Sequence, residues 1–425
     1  MDNDEIKSSQ KTGESGFMKG LLTGILFCAL VALIILFVVK GSSDSKKEKN
    51  AYLESTSTDA KVSLDDIEDK MEYLQDLIDQ YYYYGDETDM NEVADEVYKA
   101  YISGLQDKYS AYYTKEEMEK MVESVSGSYC GIGAVVTENE ESEVVIILPY
   151  EGAPAAEAGL QPGDVVLSID GTSLTDMSLD EAVSLVRGKE GTTAIFTIRR
   201  DDQEFDVSIE RKQVDIPTVS SELLDGNIGY VVISSFDLTT PAQYTEAIEQ
   251  LLDQGAQGII FDVRNNGGGA LDAVTEMLDY LLPEELIVYM EDKYGNRKNY
   301  YAEDGCMDET IPIAVLINEN TASASELFAG ALQDYERARI FGTKSYGKGV
   351  VQNVIPLSDG SGLKLTVSMY FTPLGRNFNH NGIDPDVEVE LPQEDTAYDE
   401  YGYLKEECDT QLNAAKEYIR EELDK

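Results

Sequence analysis

Asn318-Glu-Asn-Thr-Ala-Ser-Ala-Ser-Glu-Leu-Phe-Ala-Gly-Ala-Leu332 follows directly on an apolar run of strand length, Pro312-Ile-Ala-Val-Leu-Ile-Asn318. The stretch then opens a helix. A helix N-terminus leaves its first N–H groups unpaired and carries partial positive charge. A serine placed there can attack a carbonyl while the next N–H holds the oxyanion. Ser323 is therefore the candidate nucleophile, and the N–H of Ala324 a candidate oxyanion donor. The same residues, Ser323-Ala-Ser-Glu326, also spell a capping box, in which the serine merely closes the helix end. The stretch alone does not separate the two.

Two neighbouring stretches add chemistry. Asp262-Val-Arg-Asn-Asn-Gly-Gly-Gly-Ala-Leu271 ends the apolar strand pattern Gly258-Ile-Ile-Phe-Asp-Val. Ligand sites in open α/β sheets favour such strand ends, and Gly268 or Gly269 could present a second oxyanion N–H. No Gly-Lys-Ser/Thr follows, which argues against a phosphate loop. Gly342-Thr-Lys-Ser-Tyr-Gly-Lys-Gly-Val-Val-Gln352 sets Lys348 between glycines. A lysine acts as a base only when neutral, and removal from water lowers its pKa toward that state. Gln352, four residues on, could orient the amine. Taken alone, Lys348 reads equally as a solvated turn lysine.

Outward from these stretches the chain divides by texture. Residues 213–392 alternate strand-like runs with helical stretches at 241–252 and 270–282, an α/β pattern. Residues 128–212 carry short β-branched runs, the Asp170-Gly171 turn and a short helix from Leu179 to Val186. Residues 64–127 read as helices, with Ile67, Met71, Leu74, Leu77 and Ile78 on one stripe. Residues 393–425 end in a strong helix former. The fold class is α/β (α+β) and multidomain.

Gly20 to Val39 is an uncharged run of bilayer length and reads as an N-terminal transmembrane helix behind a short head, residues 1–19. A cleaved signal peptide is the competitor, but Lys40-Gly-Ser-Ser-Asp follows where small residues of the Ala-x-Ala kind would be needed. Residues 40–63 form a Ser/Lys/Asp/Thr-rich linker. The short head before a large body fits a single-pass protein of the cell membrane with its body outside the cytoplasm.

The net charge of −49 argues against a nucleic-acid partner. A single histidine, His380, sits in the polar segment Asn377-Phe-Asn-His-Asn-Gly382 and reads as a surface imidazole. A His-rich zinc site cannot be built, and no metal or cofactor is expected. Of four cysteines, Cys28 lies in the apolar run. The other three, Cys130, Cys306 and Cys408, show no disulfide framework, although a Cys306–Cys408 bridge stays open.

Two resemblances join these pieces. Gly131-Ile132-Gly133-Ala134, Gly152-Ala-Pro-Ala-Ala-Glu-Ala-Gly159, Gly163-Asp164 and Asp170-Gly171 resemble a PDZ domain. That implies binding of a substrate's C-terminal carboxylate at Gly131, Ile132 and Gly133, with the peptide added as a strand. The three stretches after it resemble the carboxyl-terminal processing peptidases (tail-specific proteases). Thr321, Tyr346, Val263 and Gly267 depart from that family's usual Ser, Phe, Leu and Pro. The resemblance runs from about residue 64 to the C-terminal helix and includes Gly382-Ile-Asp-Pro-Asp386. It implies a core like the crotonase and Clp-protease folds. It implies a serine endopeptidase with Ser323 as nucleophile, Lys348 as base, Gln352 orienting the amine, and PDZ gating. Arg187 is the candidate for a contact from the PDZ domain to the site. The substrates would be proteins with exposed C-termini, processed or degraded, and the terminal helices would suit a homodimer. The alternative is an inactive PDZ scaffold at the membrane.

Overall fold

A computed structural model describes residues 62–303, 305, 307–398 and 404–425. The expected membrane span at 20–39, its head, nearly all of the linker and Cys306 lie outside the described residues. Among the described residues no helix is long and apolar enough to cross a membrane. The chain divides at Met90 into two units. The described part of the first holds helix α1 (Leu64–Tyr81), opened by a capping box between Ser63 and Asp66. Its apolar stripe is real, but no residue of α1 is buried.

The second unit is built on a six-stranded sheet ordered β10-β11-β12-β15-β16-β19. These strands are β10 (Val219–Leu224), β11 (Ile228–Ile233), β12 (Gly258–Asp262), β15 (Ile313–Ile317), β16 (Arg339–Gly342) and β19 (Val387–Glu388). All neighbours run parallel except β10 with β11. Every residue of β12 and β15 is buried, as a central parallel strand covered on both faces requires. Side chains alternate across the sheet. Ile259, Phe261, Ile313, Val315 and Ile317 pack with α6 (Thr240–Asp253), α7 (Leu271–Leu281) and α8 (Ala324–Asp334). Ile260, Ala314 and Leu316 face the other way, onto Leu412, Ala415 and Ile419 of α9 (Thr410–Leu423). The C-terminal helix thus covers the second face of the sheet, and its helical spacing supplies the seal.

A second sheet runs β1-β18-β13-β14, with β17 also on β18. It holds β1 (Ala111–Tyr113), β13 (Leu286–Asp292), β14 (Arg297–Tyr301), β17 (Val350–Pro356) and β18 (Gly362–Phe371). The segment 64–127 is therefore not purely helical. Between α2 (Met90–Ser103) and α3 (Lys115–Ser126), three residues pair with β18, Ala111 opposite Lys364. Three residues are too few to show a period of two in sequence.

The small domain comprises a pair, β2 (Ser128–Gly131) with β9 (Lys212–Asp215), and a sheet ordered β3-β4-β5-β7-β8. Its strands are β3 (Ala134–Glu138), β4 (Val144–Pro149), β5 (Val165–Ile169), β7 (Thr193–Arg200) and β8 (Gln203–Glu210). The two-residue β6 (Thr172–Ser173) pairs with β5. Helices α4 (Pro154–Glu157) and α5 (Leu179–Val186) complete it. Ile132, Ile146, Phe196 and Ile198 centre its separate core. Strand β3 lies at the sheet edge, where an added strand can pair.

Candidate active site

The three stretches leave the C-terminal ends of β12, β15 and β16, which are adjacent parallel strands. Their loops therefore emerge side by side. Cross-loop bonds fix them further. Asn265 N–H donates to Asn318 Oδ1, and Asn318 Nδ2 to Asn265 Oδ1, both at 2.9 Å. Thr321 Oγ1 donates to Val263 O at 2.8 Å, and Ala322 N–H to Asn266 O at 3.0 Å.

Ser323 caps α8 at φ 58° and ψ −117°, a conformation that costs a non-glycine residue energy. Its N–H donates to Glu326 Oε2 at 2.8 Å. Ala324 opens the helix, so its N–H has no partner within it. Gly268 lies hard against this turn. A Cβ there would sit 2.7 Å from Ala322 O, 2.8 Å from Ser323 Cβ and 2.9 Å from Ala324 N. The Gly268 N–H donates to Asn266 Oδ1 at 2.8 Å. Of the two glycines expected as oxyanion donors, Gly268 has thus committed its N–H, and Gly269 remains.

Lys348 reaches the same place by its backbone. Its N–H donates to Glu326 Oε2 at 2.8 Å, and Gly347 N–H to Glu326 Oε1 at 2.7 Å. Its Nζ lies 5.0 Å over the Tyr109 ring. Burial, aided by the positive charge of Lys364, holds its pKa below the ordinary lysine range. Among the described residues Lys348 Nζ makes no hydrogen bond or ion pair. The expected contact with Gln352 is not made in this conformation. Gln352 Nε2 donates to Thr366 Oγ1 at 3.2 Å, beside a register shift between Val351 and Gln352.

Arg187 stands elsewhere than expected. It caps α5, pairs with Glu123 of α3, and lies 5.0 Å over the Tyr129 ring. It touches no residue of the candidate site. A cleft of about 500 Å³ there is lined by Lys120, Glu123, Tyr129, Val183, Arg187 and Ile216, among others. The Arg187 side chain is long, so spacing along the sequence could not fix which neighbour it reaches.

At the Gly131–Gly133 loop, Gly133 takes φ +73° and a Cβ would meet Ala153 Cβ at 2.4 Å. The Tyr129 ring lies against Gly131. Burial, with the neighbouring Tyr150, holds the Tyr129 pKa above the ordinary tyrosine value, against the backbone of Ala134 and Gly133 and the charge of Arg187.

His380 is exposed, as read. Its N–H donates to Gly347 O at 2.9 Å, so its backbone braces the lysine loop. Gly382 does the same. It takes φ +68°, and a Cβ there would lie 2.4 Å from Ser345 O. The Asp-Val-Arg end of the first stretch is structural. Arg264 Nη2 donates to Asp262 at 2.6 Å and to Asp409 at 2.8 Å, pinning the start of α9. Among the described residues Cys408 has no disulfide partner, and Cys306 lies outside them. Two residues escaped the sequence reading: Tyr109, which carried no local signal, and Glu326, visible only as a capping residue.

The model for peptidase family S41 matches residues 227–389, and the PDZ-domain model matches residues 145–200. The chain is 35% identical over 370 residues to the carboxy-terminal processing protease CtpA of Bacillus subtilis, covering 87% of this chain and 76% of that protein. It is 35% identical to a probable CtpA-like serine protease of Staphylococcus haemolyticus over 76% of this chain, and spans 65% of that relative's length. The solved photosystem II D1 C-terminal processing protease is 32% identical, with TM-score 0.44, over 71% of this chain and 83% of that one. The chain therefore belongs to the carboxy-terminal processing serine proteases of peptidase family S41, with a PDZ domain ahead of its peptidase core.

Proposed function

We propose that this protein is a membrane-anchored endopeptidase that cuts protein substrates near their C-termini. Ser323 Oγ attacks the scissile carbonyl carbon while neutral Lys348 takes its proton. The C–N bond breaks, the lysine proton passes to the leaving amine, and water then hydrolyses the acyl-enzyme. The N–H groups of Ala324 and Gly269 hold the oxyanion. The observation that carries this reading is the strained Ser323 turn at a helix start, whose Glu326 also holds the backbone of a half-buried lysine that makes no ion pair among the described residues.

Among the described residues Lys348 Nζ makes no hydrogen bond to Ser323, and Gln352 Nε2 bonds Thr366 instead. We take this as a resting state, released when a substrate C-terminus occupies the PDZ loop at Gly131, Ile132 and Gly133. Two contacts support this reading. Arg187 holds α3 through Glu123, and the segment just before β1 and α3 lays Tyr109 over Lys348. The run at 20–39 would anchor the protein, with its body outside the cytoplasm.

The second reading, an inactive PDZ scaffold, is opposed by the intact Ser323, Lys348 and Gln352. One experiment decides. The protein is incubated with an unstructured polypeptide bearing a free C-terminus, across pH, beside Ser323→Ala and Lys348→Ala. Cleavage by the unsubstituted protein alone supports the dyad. Intact substrate at every pH supports the scaffold, and full activity of Lys348→Ala sinks the Ser-Lys assignment. Mapping the products separates processing from degradation. Retention in the membrane pellet after alkaline carbonate extraction tests the anchor, and release into the supernatant counts against it.

A further inference from the structure

Glu326 is fully buried, and no cation pairs with it among the described residues. A lone buried carboxylate is costly unless its oxygens are filled by donors. Here they are filled. Oε2 accepts the N–H of Ser323 and the N–H of Lys348, each at 2.8 Å. Oε1 accepts Ser345 Oγ at 2.6 Å and the N–H of Gly347 at 2.7 Å. A helix cap needs only the bond to Ser323. The other three reach into a different loop. Three of the four donors are backbone N–H groups, which cannot reverse to accept. The site is therefore shaped for an acceptor with two oxygens and no proton of its own.

We propose that Glu326 is a positioning residue that sets the distance between nucleophile and base by holding the Ser323 and Lys348 backbones on one carboxylate oxygen. It touches no substrate. The inference rests on the Ser-Lys reading above. It explains why a charge is kept where it works against the chemistry. A negative group near Lys348 favours the ammonium form, which cannot act as a base. Lys364 from β18 and Lys108 ahead of β1 oppose that effect, and Tyr346, next to the loop's Gly347, adds to it. The carboxylate is retained because an error of about 1 Å in placing the pair costs more rate, about 100-fold, than a modest change in the neutral fraction.

The test uses the full chain, with hydrolysis of a peptide substrate followed across pH. Rates are normalised to active sites counted with a serine-reactive phosphonate, and Ser323→Ala serves as control. If Ser323→Ala still cleaves, the Ser-Lys reading fails on its own terms. Glu326→Gln turns an NH2 group toward two of the four donors. Its kcat per titrated site should fall about 100-fold with little change in KM. Its acid limb should move to lower pH, because Lys348 loses a nearby negative charge. Glu326→Asp keeps the charge but withdraws the oxygens by one methylene, so kcat should fall while the acid limb stays. Ser345→Ala removes one donor and leaves the shared oxygen intact, so kcat should fall only a few-fold.

Wild-type kcat per site in Glu326→Gln overturns the inference. So does a loss that disappears on normalisation, since that marks a role in folding alone. If Glu326→Gln does not fold, Glu326→Asp decides. An unmoved acid limb with lowered kcat per site supports the proposal, and any other result overturns it.

Discussion

In the peptidase core, Gly268 takes φ +102°, and a Cβ there would strike the backbone of Ala322 and Ala324 and the Cβ of Ser323. In the PDZ domain, Gly131 needs no positive φ, and a Cβ there would meet only the Tyr129 ring, at 2.7 Å. Both glycines let another group come close. The neighbours differ. Backbone cannot move aside, whereas an aromatic side chain can turn. The core loop is therefore fixed against Ser323, as oxyanion stabilisation would demand of the proposed site. The PDZ loop is faced by a phenol that an incoming carboxylate could displace. A fixed loop would suit the proposed chemistry, and an exchangeable occupant would suit the proposed gate.

The largest effect should come from the fixed side of this contrast. Lys348→Arg keeps the charge and cannot become neutral. Hydrolysis should drop by about four orders of magnitude, with the thermal midpoint within about 3 °C of the parent. Near-normal turnover would break the contrast at its root.

Gly268→Ala should come next. Strain at positive φ and the backbone clash should cost about 3 kcal/mol in urea unfolding and lower kcat by about 100-fold. Gly131→Ala should cost less than about 1 kcal/mol, since Tyr129 can yield. Equal losses for the two would erase the distinction.

Tyr129→Phe probes the exchangeable side. Removing the hydroxyl of the ring that lies against Gly131 should tighten binding of a peptide with a free C-terminal carboxylate by a few-fold in calorimetry. Binding of the amidated peptide should not change. Unchanged affinity for both would show that the phenol does not compete.

The smallest effect concerns pH. In the proposed dyad Lys348 must be neutral to act, and the charge on Lys364 disfavours its protonation. Lys364→Met should therefore raise the Lys348 pKa and move the acid limb of activity upward by less than about one unit. A downward shift would contradict the sign.

Particular residues show how far the sequence could be read. The helix over Leu179–Val186 was legible because its apolar spacing and Ser178–Glu181 cap are local. The strands at Gly258–Asp262 and Ile313–Ile317 were legible as unbroken apolar runs. The pairing of β17 with β18 was not, because its sequence alternates weakly and its partners are set by the sheet. Lys348 stood out through resemblance alone, since a lysine between glycines is locally unremarkable. Arg187 pairs with Glu123 in this conformation, and the Gly268 N–H is taken by Asn266. Both concern which of several reachable partners wins, a question of three-dimensional competition.

The sequence by itself determined the chemical inventory. One histidine ruled out most histidine-based machinery, and Ser323 at a strand-to-helix turn nominated the nucleophile. Only the tertiary structure decided the assembly. Parallel pairing of β12, β15 and β16 is a non-local hydrogen-bonded ladder, and it alone brings three distant loops to one edge. The same pairing lets Glu326, read locally as a cap, hold both Ser323 and Lys348. The serine and the lysine could be named from the chain, but the distance between them is set by packing.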